Sequence, residues 1–383
     1  MSTGSGAPHL DVDALLDDRG TQIIVCCGSG GVGKTTTSAA LALRAAERGR
    51  RVVVLTIDPA RRLAQAMGIE QLDNIPRPVP GLRPQSDGGG SLDAMMLDMK
   101  RTFDEVVESQ ASPEKAQQIL ANPFYVALSS SFAGTQEYMA MEKLGQLHRQ
   151  AVADGSHDLI VVDTPPSRSA LDFLDSPERL SSFLDGRLIR LLLAPARGPA
   201  RLMSAGFSVV TGALAKVLGG QMLRDVQTFV TALDTLFGSF RQRAEQTFAL
   251  LQAEGTAFLV VAAPEPDALR EAAYFVDRLT DDRMPLAGLV VNRASPPTRT
   301  DLSAEEAIAA ADRLWAGDSS SLTAGLLRLH ADRVRILERE QHLCERFAAA
   351  HPQVATALVP AMAGDVHDLD GLRAIGDALA RRP

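Results

Sequence analysis

The sequence predicts a doubly wound, mostly parallel α/β sheet carrying an inserted α-helical subdomain. Three observations support this. Two β-branched runs, 23–27 and 52–57, enclose a segment rich in Ala, Leu, Arg and Glu at 35–48, and strand–helix–strand in so short a span forms a βαβ unit. Further apolar runs recur at 95–97, 159–162, 258–262, 286–291 and 354–359, with helical stretches between them. From 171 to 251 no strand pattern appears. There Val226, Phe229, Val230, Leu233, Leu236, Phe237 and Phe240 keep the i, i+3/i+4 spacing of one helix face.

Taken in order, residues 1–20 read as a Gly- and Ser-rich tail followed by a short helix. Residues 21–383 form a single domain, with helical subdomain material at about 99–150 and 171–251. The stretch 75–91 holds four prolines and a Gly-Gly-Gly, which predicts a surface loop. No internal repeat is evident.

Composition narrows the function. Of 383 residues 45% are hydrophobic, the balance of a soluble globular chain with a sizeable core. A net charge of −8 and a single Trp argue against a nucleic-acid binder, which would need a basic surface or a stacking platform. Cys26, Cys27 and Cys344 make neither a disulfide framework nor a metal-binding spacing. The tail lacks the basic start and apolar core of a signal peptide. The greasiest uncharged stretch, 202–215, would rise ~21 Å as a helix, short of the ~30 Å of a bilayer core. The expected location is the cytoplasm, with peripheral membrane attachment left open.

The chemistry is announced by Gly28, Ser29, Gly30, Gly31, Val32, Gly33, Lys34 and Thr35, a G-x-x-x-x-G-K-[ST] pattern between a strand and a helix. Glycines let the backbone curl so that its N–H groups point at phosphate oxygens, and the helix N-terminus adds its positive dipole end. Lys34 sets a cation against the β- and γ-phosphates, the Thr35 hydroxyl can ligate magnesium, and Thr36 completes the nucleotide-binding run. The cofactors expected are therefore ATP and Mg²⁺. Two aspartates close later strands: Asp58 before Pro59-Ala60 and Asp163 before Thr164-Pro165-Pro166. Strand-end carboxylates face the ligand crevice of a parallel sheet, where they can hold magnesium through water or orient an attacking water. Each could instead simply cap the helix that follows.

Together these segments resemble the P-loop ATPases of the arsenite-pump and guided-entry family, whose phosphate loop is of a deviant type. The resemblance extends to Gly134-Thr135-Gln136-Glu137, to Ala263-Pro264-Glu265, to Val291-Asn292-Arg293 and to the loop 360–366, in family order over about 21–381. It implies a P-loop NTPase core in which Lys34 and Asp58 are catalytic, Asp58 positioning or activating the water. Thr35 and Asp163 would serve magnesium, and Asn292 would hydrogen-bond adenine, assisted by backbone near Pro264 and Pro360. It further implies a dimer with nucleotides at its interface, whose helical subdomains grip a hydrophobic client in the targeting members.

Three departures accompany the likeness. Ser29 stands where the family has a lysine that reaches across the dimer, and a cation of that kind can be worth several orders of magnitude in rate. Arg61 and Arg62 follow the first aspartate, and Arg168 follows the second; these are either solvated surface charges or the replacement cation. The zinc-binding C-x-x-C of the targeting branch is absent. The loss of lysine and zinc clamp favours a heterodimer with a related ATPase subunit over a homodimer, as in paired actinobacterial members that this chain resembles. The segment 188–240 is the candidate surface for a hydrophobic client or membrane protein, or else plain subdomain core. The alternatives are the ATPase subunit of an arsenite-type efflux pump, a surface-positioning ATPase and a low-activity nucleotide-binding regulator.

Overall fold

The computed structural model describes residues 8–58, 62–83, 90–123, 125–126, 129, 135–165, 242–297, 301–316 and 321–381. The chain opens with α1 (Val12–Asp17), whose N-terminus is capped by the Asp11 carboxylate accepting from Ala14 N at 3.0 Å. Next come β1 (Ile23–Gly28), α2 (Lys34–Glu47), β2 (Arg51–Thr56), α3 (Arg62–Ala66), β3 (Arg77–Pro78) and β4 (Ser91–Met96). Helices α4 (Met99–Gln110), α5 (Pro113–Leu120) and α6 (Thr135–Asp154) lead to β5 (Leu159–Asp163). After a helical stretch at 242–252 the chain continues through β6 (Thr256–Ala262), α7 (Pro266–Asp281) and β7 (Leu286–Ala294). It ends with α8 (Ala304–Ala316), α9 (Ser321–Ala350), β8 (Thr356–Pro360) and α10 (Leu369–Leu379).

One eight-stranded sheet has the order β3-β4-β2-β5-β1-β6-β7-β8. All neighbours are parallel except β3 and β4. Because successive side chains on a strand point to opposite faces, the central strands supply two cores at once. Ile23, Val25 and Cys27 of β1 join Phe103 of α4, Leu144 of α6 and Phe275 of α7, while Ile24 and Cys26 join α1, α2 and α10. Strands buried on both faces read as unbroken apolar runs, which is why β1, β2, β5 and β6 were legible.

The fold differs from expectation at three places. β4 begins at Ser91, ahead of the run read at 95–97, because Asp93 interrupts the apolar pattern; its carboxylate lies 2.8 Å from His157 Nε2. Within the stretch read as a surface loop, Arg77 and Pro78 pair with β4 as a two-residue edge strand. The hairpin of α8 and α9 had no counterpart in the sequence reading. The candidate client surface at 188–240 lies outside the described residues. Among the described residues no helix is long and apolar enough to cross a membrane.

Candidate functional site

The carboxyl ends of β1, β2, β5, β6, β7 and β8 bring together the phosphate loop, Asp58, Asp163, Pro264, Asn292 and Pro360. β1 ends at Gly28, whose φ of 148° is accessible only to glycine. A Cβ there would lie 2.1 Å from the Val261 carbonyl oxygen, so the loop leaves the sheet where no other side chain fits. The turn returns through Gly33 (φ 94°), the N-cap of α2, and the helix begins at Lys34. Gly33 has no side chain with which to cap the helix, so its first N–H groups stay available to an anion.

Lys34 folds back over the loop and donates from Nζ to the Ser29 carbonyl at 2.8 Å. Its side chain is buried, and desolvation lowers its pKa against the opposing pull of the Asp163 carboxylate. Asp163 is fully buried at the end of β5. Burial pushes its pKa up to about 6, although the hydroxyls of Thr35 and Thr56 and the Lys34 cation pull the other way. Oδ2 accepts from Thr56 Oγ1 at 2.9 Å, whereas buried Oδ1 makes no hydrogen bond of ordinary geometry among the described residues.

Thr56 is a residue that the sequence reading missed. Its hydroxyl donates to Asp163 and accepts from the backbone N–H of Asp58 at 3.2 Å, so one side chain ties the two strand-end aspartates together. The signal was present as the threonine that ends β2, two residues before Asp58. β5 is held to its neighbours at this level too: Thr164 Oγ1 donates to Cys26 O at 2.8 Å, and Ile57 N donates to Asp163 O at 2.9 Å.

On the other side of β1, Asn292 is buried near the end of β7 and donates from Nδ2 to the Val32 carbonyl of the phosphate loop at 2.8 Å. Its approach is close enough that a Cβ on Gly33 would stand 2.2 Å from Nδ2. Asn292 pairs in register with Val359 of β8, and Ala262 of β6 with Val291, which sets Pro264 and Pro360 beside it on adjoining strand ends. Residues 59–61 and Arg168 lie outside the described residues; Arg62 is exposed at the start of α3. Thr135, Gln136 and Glu137 form the start of α6, and Gly134 lies outside the described residues.

The arrangement fits a magnesium–triphosphate: a glycine-bounded loop, a desolvated lysine, a hydroxyl-bearing helix start and a buried carboxylate oxygen that makes no hydrogen bond of ordinary geometry among the described residues. Comparison with known proteins points to an ATPase. A profile described as "Anion-transporting ATPase" matches residues 21–312. The chain is similar to "ATPase GET3" of Ajellomyces dermatitidis, 27% identical over 296 residues, or 76% of this chain and 78% of that one. It is also similar to the "ATPase ASNA1 homolog" of Cryptosporidium parvum, 28% identical over 270 residues, or 70% of this chain and 64% of that one. With "ATPase GET3" of Malassezia globosa it shares 31% identity over 170 residues, 44% of this chain and 46% of that one.

Proposed function

The chain belongs to the anion-transporting ATPase family, and from that premise we propose that this ATPase is a magnesium-dependent switch that opens and closes a dimer around a hydrophobic or membrane-protein client. The observation that carries the reading is the Thr56 bridge between a buried, incompletely bonded Asp163 and the backbone of Asp58. Thr35 and Asp163 would hold magnesium, which when bound neutralises charge on the triphosphate. Lys34, released from the Ser29 carbonyl, would bind the phosphate oxygens, and Asp58 would position the attacking water. Since Thr56 touches both aspartates, a change in the charge felt by Asp163 reaches the Asp58 turn through one hydroxyl. Asn292, with Pro264 and Pro360 beside it, would hold the adenine.

Ser29 is buried in the loop and carries no charge, so this chain offers no lysine there to a partner. That favours a heterodimer with a related ATPase subunit that supplies the cation, or a slow ATPase acting as a nucleotide-dependent regulator. The pump reading has less support. A metalloid trigger needs thiolates, but Cys26 and Cys27 are fully buried, and burial pushes the Cys26 thiol up to about 12 and Cys27 in the same direction.

ATP turnover by the purified chain and by Asp58→Asn tests the assignment. Wild type should hydrolyse Mg–ATP, while Asp58→Asn should bind it with similar affinity and turn it over on the order of 100-fold more slowly or less. Equal rates would remove Asp58 from the chemistry. Robust turnover by a homodimer of the wild-type chain would remove the need for a foreign subunit.

A further inference from the structure

A loop that turns its N–H groups toward phosphate must turn carbonyls the other way, and those carbonyls need donors. Among the described residues two side chains supply them. Lys34 Nζ holds the Ser29 carbonyl and Asn292 Nδ2 holds the Val32 carbonyl, each at 2.8 Å. The first bond is given up when Lys34 turns to a phosphate oxygen. The second is compatible with a filled site, so Asn292 is the side-chain fastening that a loaded loop keeps.

The consequence of that bond follows from peptide geometry. The Val32–Gly33 peptide is trans, so its C=O and its N–H point in opposite directions within one plane. Holding the carbonyl on the β7 side turns the Gly33 N–H away from β7, and that N–H has no acceptor among the described residues. Gly31 (φ 77°) and Gly33 (φ 94°) flank the unit, and their freedom would otherwise let the peptide swing. The buried Val32 side chain anchors the residue but leaves the tilt of the peptide after it to Asn292.

Asn292 is in turn aimed by its own backbone. Arg293 takes a φ of 61°, the left-handed region that residues other than glycine rarely enter. There β7 advances two residues, from Asn292 to Ala294, against the single step from Val359 to Pro360 on β8. Such a bulge bends the strand and re-aims the side chain beside it. The Arg293 side chain is exposed and makes no hydrogen bond or ion pair among the described residues, so its local contribution is the backbone turn.

We propose that Asn292 is a positioning residue for the phosphate loop, apart from any contact it makes with a base. It fixes the Val32–Gly33 peptide so that the Gly33 N–H is presented to phosphate, and the bulge at Arg293 holds it in place to do so. This rests on the reading of the loop as a nucleotide site and adds a role within that site. The Oδ1 atom of Asn292 makes no hydrogen bond among the described residues, so the same amide can hold the loop and still meet a base. The two roles differ in reach. A base reader affects only ligands that carry the base, whereas a residue that sets the loop affects ligands with no base at all.

Mg–tripolyphosphate, which has the phosphates and no base, separates them. Titrated calorimetrically onto the full chain, it should bind Asn292→Ala about fivefold more weakly than wild type, the fold-change expected for one lost hydrogen bond. The same variant should show a lower kcat at saturating Mg–ATP as well as a higher KM. A second pair leaves the amide untouched. Arg293→Gly and Arg293→Val both remove an exposed guanidinium, but only glycine accepts the positive φ, so the valine variant should bind tripolyphosphate about fivefold more weakly than the glycine variant. Wild-type tripolyphosphate affinity in Asn292→Ala, a raised KM with kcat unchanged, or equal affinities in the two 293 variants would overturn the proposal. So would a wild-type chain that binds Mg–ATP but no tripolyphosphate, since its loop would not be set without the base. Lys34→Met that binds Mg–ATP as tightly as wild type would instead refute the nucleotide-site reading itself.

Discussion

The two ends of the central strands treat buried polar groups in opposite ways. At the amino end Arg50 is 1% exposed and all five of its N–H donors are used: Nε and one Nη bond the side chain and backbone of Asp158, and the others reach the carbonyls of Leu16, Asp18 and Thr21. At the carboxyl end Asp163 is equally buried, yet Oδ1 has no hydrogen bond of ordinary geometry among the described residues, and Lys34 turns inward to a carbonyl of its own loop. A saturated buried charge fastens elements together, here α1 to the amino ends of β1, β2 and β5. An unsaturated one costs stability and persists where something else completes it. The contrast separates scaffold from site without reference to relatives.

The largest effect should come from breaking the saturated end. Arg50→Met leaves Asp158 and three carbonyls short of donors, and should cost about 3–5 kcal/mol in urea unfolding, the range for a buried pair that loses one member. The surviving folded protein should keep wild-type Mg–ATP affinity. A large loss of nucleotide affinity with little loss of stability would invert the comparison.

A smaller effect of opposite sign is expected at the other end. The folded-state pKa of Asp163 is raised from 3.8 to about 6, so its protonated form is favoured by folding. Its contribution to stability is fully present below about pH 4 and is lost as pH rises through about 6, by at most about 3 kcal/mol for a shift near two units. Asp163→Asn without nucleotide should therefore be more stable than wild type at pH 7 and should lack this descent in unfolding scans between pH 4 and pH 8. A variant that is less stable at neutral pH would mean that the carboxylate is already satisfied.

What the sequence made legible follows the same division. The phosphate loop is a local pattern: eight consecutive residues state both the turn and the chemistry, and the strand ahead of them is apolar on both faces. The Asp58 and Asp163 positions were readable because each closes such a strand. Arg50 was not, because its partners lie up to 108 residues away and nothing nearby marks it. Thr56 looked like one more β-branched strand residue until β5 was placed beside β2. The hairpin of α8 and α9 was hidden because α9 carries apolar residues on two faces, Ala331 and Leu327 toward α8 and Leu322, Leu326, Leu329 and Ile336 outward, so no single amphipathic face stands out. Asn292 was picked out as a base reader through the family likeness, but its bond to the phosphate loop could only be seen in three dimensions.

The most direct test of the unsaturated end as the nucleotide site is the shift in unfolding free energy when Mg–ATP is titrated onto wild type and Lys34→Met. Wild type should gain stability that grows by about 1.4 kcal/mol per tenfold rise in ligand once the site is saturated, and the variant should gain none over the same range. The same gain in both, or none in wild type, would contradict the account.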